Sequence, residues 1–285
     1  MMYAITGASG QLGRLVIAEL LKSVPAGQIV AAVRDPAKAR DLAERGVIVR
    51  EADYNRPDTL TTALAGVDKL LLISSTEVAG RLPKHHAVIE AAGRAGVSLI
   101  AFTSMLHADT SAARLAVEHR QTEEAIRASG LPAVILRNGW YTENHLAALP
   151  AALEHGAFIG AAKQGRFSSA ARQDYAEAAA AVLTTDGQAG RTYELAADQA
   201  FTLTELAAEV SRRSGKTIAY NDLSPDAYAG VLRNAGLRAD FAALLADVDV
   251  AASRGALFDD GGVMRRLIGR PTTPMEKMVA AVFRS

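Results

Sequence analysis

Met2-Tyr3-Ala4-Ile5-Thr6-Gly7-Ala8-Ser9-Gly10-Gln11-Leu12-Gly13 opens the chain. A short apolar strand runs into a glycine-rich turn. A helix follows at once, with Leu12, Val16 and Leu20 on one face. Strand, turn and helix together make the first βα unit of a dinucleotide-binding fold. In this reading Gly7 permits the tight turn and Gly10 lets the backbone approach a pyrophosphate. Gly13 lets the helix pack closely on the strand, and the first helix amides face the anion. Ala8, Ser9, Gln11 and Leu12 complete the predicted cradle. The spacing is Gly-x-x-Gly-x-x-Gly rather than the commoner Gly-x-Gly-x-x-Gly.

Working outward, short β-rich runs alternate with helical stretches. Strands are predicted at 29–33, 47–50, 69–74, 99–104 and 133–137. The run at 69–74 is the most apolar and is expected at the centre of the sheet. Gly46, Gly66, Gly96 and Gly130 each stop a helix just before the next strand. Such alternation predicts a Rossmann-type, doubly wound parallel sheet in an α/β protein. After Asn138 the rhythm breaks at Pro150, Gly156 and Gly160. A helix at 173–183, a strand at 192–195 and a helix at 203–214 follow. Residues 1–150 are therefore expected to form the nucleotide-binding domain. Residues 151–285 are expected to form a smaller C-terminal α/β lobe, with some segments returning to the main domain.

The chain has 285 residues, 49% of them hydrophobic, enough for a full core. Lysine and arginine number 31, and so do aspartate and glutamate. This balance gives no sign of a nucleic-acid partner. There is no cysteine, which excludes disulfides, thiolate catalysis and iron–sulfur clusters. No apolar run approaches the roughly 20 residues that span a bilayer. The first residues read as a strand rather than a signal segment. A cytoplasmic location without membrane attachment is the expectation.

The residue after the second strand selects the cofactor. Arg34 stands there, about 20 residues beyond the glycine turn, where an arginine receives the 2′-phosphate of NADPH. Its neighbour Asp35 precedes Pro36 and reads as a loop or helix-cap residue. Ser74, Ser75 and Thr76 follow the fourth strand, where hydroxyls reach a nicotinamide ribose; an ordinary polar loop would look the same. Asp53 is a weaker candidate near the adenine.

No tyrosine stands four residues before any lysine, so the usual Tyr-x-x-x-Lys proton relay is missing. His119 shares a helical face with Leu115, Thr122 and Ile126 and points inward, as a pocket floor or as a core histidine. His107, after the fifth strand, is a candidate proton donor. Asn138-Gly139-Trp140-Tyr141-Thr142-Glu143-Asn144 contains the one tryptophan, where a sheet-end pocket would lie. An aromatic wall there suits a flat substrate; Trp140 could equally anchor the second lobe. Gly215-Lys216-Thr217 mimics the end of a phosphate loop, but Val210 stands where its first glycine should be. Adjacent His85 and His86 do not make a same-face zinc pair.

The chain resembles the NmrA-like atypical short-chain dehydrogenases. Within them it is similar to the bacterial type 2 NAD(P)H:quinone oxidoreductases, with triphenylmethane reductase a near relative. The resemblance is carried by segments 5–13, 33–39, 70–75, 136–144, 257–260 and 267–273, and extends over essentially the whole chain. It implies NADPH held by the Gly7–Leu12 loop, Arg34, the Ser74–Thr76 loop and the Asn138–Glu143 loop. It implies reduction of a small-molecule quinone, which would meet Trp140, Tyr141 and Asn144. Tyr141, His107 or water would then supply the proton. A quinone becomes a stabilised hydroquinone anion on accepting hydride, so a strong built-in acid is less necessary. The second reading is a non-catalytic NADPH/NADP⁺ sensor, since NmrA-like proteins include such regulators.

Overall fold

The computed structural model describes residues 1–75 and 80–284. In chain order, β1 (Tyr3–Thr6), α1 (Gln11–Leu20), β2 (Ile29–Val33), α2 (Arg40–Glu44) and β3 (Ile48–Glu51) come first. Then follow α3 (Pro57–Leu64), β4 (Lys69–Leu72), α4 (Arg81–Ala95), β5 (Leu99–Met105), α5 (Arg114–Ala128) and β6 (Ala133–Asn138). Next come α6 (Thr142–Leu146), α7 (Leu149–His155), β7 (Ala157–Gly160), α8 (Arg172–Thr184) and β8 (Thr192–Leu195). The last are α9 (Leu203–Ser214), β9 (Ala219–Asp222), α10 (Pro225–Asn234), α11 (Ala239–Ser253), α12 (Val263–Ile268) and α13 (Met275–Val282).

Seven strands form one sheet in the order β3-β2-β1-β4-β5-β6-β8. β4 lies at its centre, as its apolar run predicts. Every residue of β1, β2, β4 and β5 is buried, as in a parallel sheet covered on both faces. Register is parallel, with Ile5 beside Ala31 on one flank and Leu71 on the other. The edge strand β3 is only half-buried, and it starts one residue later than its sequence pattern suggests. Lys69 is buried in the central strand because its Nζ donates to the Leu183 carbonyl at 2.8 Å. β4 stops at Leu72, two residues before the predicted end at Ser74. Side chains take the next amides: Ile73 N–H donates to Thr6 Oγ1 at 3.0 Å and Ser74 N–H to Thr103 Oγ1 at 2.9 Å.

The chain divides into two compact units. Unit 1 comprises residues 1–104, 118–137 and 175–193; unit 2 comprises 105–117, 138–174 and 194–285. Residues 175–193 return to the first unit, as expected of some later segments, whereas 105–117 and 138–150 belong to the second unit, which is not the markedly smaller lobe that was expected. The units are nearly equal in length, and the chain passes between them several times. The physical reason is the sheet: β8 lies far beyond residue 150 and still pairs at its edge. Unit 2 has its own two-stranded parallel sheet, β7 with β9, and a core built on Phe158, Phe167, Phe201, Leu206 and Val210. A capping box starts α9: Glu205 N–H donates to Thr202 Oγ1 at 3.1 Å, and Thr202 N–H to Glu205 Oε2 at 2.7 Å. Gly215 ends α9 in the left-handed region, so the phosphate-loop mimic is a helix stop.

Among the described residues no helix is long and apolar enough to cross a membrane. None of their histidine, aspartate or glutamate clusters could hold a metal ion.

Candidate active site

In unit 1 the glycine turn has the geometry that its sequence asks for. Gly7 adopts φ of +58°, a left-handed conformation that suits glycine. Gly10 N–H closes the turn on the Gly7 carbonyl at 2.9 Å. A Cβ on Gly13 would stand 2.5 Å from the Gly7 carbonyl oxygen, so no side chain fits there. Gly10 stands at the cap position before α1 and has no side chain to cap it, and the first turn of α1 holds no acidic residue. The Gln11 and Leu12 amides have no partner among the described residues. Free amides at a helix N-terminus beside a turn bounded by Gly7 and Gly10 fit a pyrophosphate.

After β2, Arg34 is exposed, and its side chain has no partner among the described residues. Asp35 is committed: its Oδ1 accepts Ala37 N–H at 3.0 Å and caps the short helical turn at Pro36. An open guanidinium beside an engaged carboxylate fits a phosphate better than a ribose diol. Asp53 is also a turn residue, accepting Asn55 N–H at 3.0 Å.

The chain after β4 is held by a buried histidine. Ser75 N–H donates to His85 Nε2 at 3.1 Å, and His85 Nδ1 lies 2.9 Å from Thr122 Oγ1. Thr122 in turn donates to the Glu118 carbonyl at 3.0 Å. An N–H can only donate, so His85 Nε2 carries the lone pair and Nδ1 the proton. Burial pushes the His85 pKa down to about 3, assisted by Arg81 and His86, so the ring is neutral. Ser74 Oγ is buried without a partner among the described residues. Thr76 lies outside the described residues. His119 points inward, as its helical face predicts, and packs against Phe102 at 5.9 Å between ring centres.

In unit 2, the stretch after β6 is strapped to the chain ahead of α8. Ala170 N–H donates to the Trp140 carbonyl at 3.2 Å, and Thr142 N–H to the Ala170 carbonyl at 2.9 Å. Gly139 N–H donates to the Leu195 carbonyl at 2.8 Å. This strap brings Arg172 over the Tyr141 ring, with its guanidinium 4.8 Å from the ring centre. Arg172 Nη2 donates to Asn144 Oδ1 at 2.7 Å. The Glu143 carboxylate accepts Arg172 N–H at 3.0 and 3.2 Å. Asn138 is buried with its Oδ1 unpartnered among the described residues. Burial raises the Tyr141 pKa above its ordinary value; the Asn138 amide and the Arg172 charge pull it partly back. The phenol is therefore protonated at neutral pH. Trp140 is half-buried and packs against the unit 2 core.

Tyr141, Asn138 and Asn144 thus belong to one constellation, and His107 to another. His107 N–H donates to Glu194 Oε2 at 2.9 Å, and its Nε2 donates to the Phe258 carbonyl at 3.0 Å. His107 also lines a cavity of about 290 Å³ with Ser111, Asp247 and Arg254. Sequence reasoning did not single out Arg172 or the supporting role of His85. Neither has a spacing signal, because each acts on a residue at least ten positions away through the fold.

The parallel sheet, the glycine turn and the open Arg34 define a dinucleotide-binding protein of Rossmann type. The chain belongs to the NAD(P)H-binding family, whose model matches residues 7–186. It is 56% identical to quinone oxidoreductase 2 of Escherichia coli, over 99% of each chain. The crystal structure of the NADPH-dependent quinone oxidoreductase of Escherichia coli, complexed with NADPH, superposes with a TM-score of 0.97. That match covers 99% of this chain and 100% of the other. A triphenylmethane reductase of Citrobacter is 40% identical, with a TM-score of 0.94 over 100% of both chains.

Proposed function

We propose that this chain is an NADPH-dependent quinone oxidoreductase. The observation that carries the proposal is its full-length likeness to the Escherichia coli quinone oxidoreductase. When bound, NADPH supplies the hydride that reduces the quinone. The protein's share of the work is positioning and electrostatics.

In unit 1 the Gly7–Leu12 turn holds the pyrophosphate through backbone amides, with Ala8 and Ser9 in the turn. Arg34 pairs with the 2′-phosphate, and Ser74 and Ser75 bind the nicotinamide ribose. His85 fixes the Ser75 amide and so positions that loop. In unit 2, Asn138 and Gly139 serve the nicotinamide; Trp140, Tyr141 and Asn144 serve the quinone. The unpartnered Asn138 Oδ1 is an acceptor suited to a carboxamide N–H. The Tyr141 phenol, kept protonated by burial, donates a hydrogen bond to a quinone oxygen. Water delivers the proton that completes the hydroquinone. His107, expected as a donor, has its Nε2 proton engaged by the Phe258 carbonyl and holds that segment in place. The same reading places the chain in the cytoplasm, with a small-molecule quinone as partner.

The deciding experiment mixes the pure protein with NADPH and benzoquinone and follows NADPH absorbance. Sustained consumption is expected. Tight NADPH binding without turnover would instead establish a nucleotide sensor.

A further inference from the structure

The Arg172 guanidinium lies next to the Glu143 carboxylate without forming an ion pair with it. The ion pairs among the described residues do not include its guanidinium. The nearby Glu143 carboxylate is occupied by the Arg172 backbone amide at 3.0 and 3.2 Å. A guanidinium carries five donors in a rigid fork, and here one of its nitrogens is committed, to Asn144 Oδ1 at 2.7 Å. The Tyr141 ring covers one face of the guanidinium at 4.8 Å, so the group is oriented while most of its donors stay available. The residue is half-buried, where a charge interacts more strongly than in open water.

We propose that Arg172 is the anion-binding residue of the substrate site, recognising a planar aromatic ring that bears an oxyanion. This rests on the quinone-reductase reading given above. A quinone that accepts hydride gains one hydrogen and two electrons. One oxygen then carries a full negative charge until water protonates it, giving the neutral hydroquinone. Arg172 holds that oxygen through charge-assisted hydrogen bonds, and the interaction strengthens as charge moves onto the substrate. The neutral quinone gains less from the guanidinium, so the residue favours the reduced, anionic form. Asn144 aims the fork, and the strap from Trp140 to Thr142 fixes its distance from Tyr141.

Binding of unreactive ligand pairs tests this without turnover. The protein with NADP⁺ present is titrated calorimetrically with hydroxynaphthoquinone, an anion at neutral pH, and with naphthoquinone, its neutral parent. The wild type should bind the anion about tenfold or more tightly, the scale of one charge-assisted hydrogen bond. Arg172→Gln should bring the two affinities together, and Arg172→Lys should keep part of the preference. Equal affinities in the wild type, or an undiminished preference in Arg172→Gln, would overturn the assignment. If the glutamine variant does not fold, the wild-type and lysine preferences still decide. Turnover of benzoquinone by the wild type is measured in parallel. Turnover without an anion preference removes Arg172 alone; no turnover removes the quinone reading and this assignment with it.

Discussion

Asp35 Oδ1 accepts the backbone N–H of Ala37 at 3.0 Å, and this bond leaves Arg34 as the open charge after β2. The two adjacent residues carry opposite charges, and either could face a ribose. The capping bond commits the carboxylate to the chain and leaves the guanidinium open. Arg34→Ala should therefore raise KM for NADPH by about 10-fold or more and leave KM for NADH little changed. Steady-state kinetics with each cofactor checks this. An equal loss for both would show that Arg34 does not read the 2′-phosphate.

The glycines of the first turn should separate binding from folding. Gly10→Val puts a side chain where the pyrophosphate approaches, so NADPH should no longer raise the melting temperature; its Cβ would stand 3.1 Å from the Gly7 carbonyl oxygen, so the free protein should melt a little below the parent. Gly13→Ala meets the Gly7 carbonyl oxygen at 2.5 Å and should lower stability itself, by about 1–3 kcal/mol. Thermal unfolding with and without NADPH reads both effects. A Gly10→Val protein stabilised by NADPH as the parent is would mean the turn is misassigned.

Tyr141 offers a ring and a hydroxyl, and two variants part them. Tyr141→Ala should impair kcat/KM for quinone more than NADPH affinity, since it removes stacking area and the cover on Arg172. Tyr141→Phe keeps the ring and removes one hydrogen-bond donor, an expected loss of roughly 5- to 10-fold in kcat/KM. Because burial raises the Tyr141 pKa above its ordinary value, the phenol should not titrate between pH 6 and 9. The pH–rate profile should be free of a tyrosine limb in that range. Normal quinone turnover by Tyr141→Ala would place the pocket elsewhere.

His85 ties stability to pH. Its folded pKa, about 3, lies below the ordinary histidine value of 6.5. The stability that it contributes is therefore complete above pH 6.5 and declines as pH falls toward 3. The expected slope is about 1.4 kcal/mol per pH unit for one such group. His85→Gln should flatten the dependence of unfolding free energy on pH between 6 and 4 by about that amount. It should also raise KM for NADPH, because the Ser75 amide loses its aromatic acceptor. Denaturant titrations at several pH values measure the slope. An unchanged slope would mean that His85 is not held neutral by the fold.

The strands at 29–33 and 192–195 and the helix at 203–214 coincide with their sequence readings. Their apolar runs, glycine stops and turn residues are local signals with a fixed period. The early end of β4 was not legible, because Thr6 and Thr103 intercept the next amides from other strands. The placing of 105–117 and 138–150 in the second unit was not legible for a similar reason. A break in rhythm marks a change of local structure, but it does not say which sheet a later strand will join.

By itself, then, the sequence determined the parallel α/β class, the central place of β4 and the glycine turn, and it singled out Arg34 as the candidate for a 2′-phosphate. Each is read from spacing along the chain, whether a few positions in the glycine turn or the repeated alternation of strand and helix. Only the tertiary structure decided that Arg172 covers Tyr141 and that His85 holds Ser75. It also decided that β8 returns to the main sheet and that the His107 ring is tied to Phe258. Those pairs lie 31, 10 and 151 positions apart for Arg172, His85 and His107, so their contacts depend on how the chain is routed. No periodicity records that route. It is set by the burial of whole strands and helices, and the side chains meet because their backbones have been brought there.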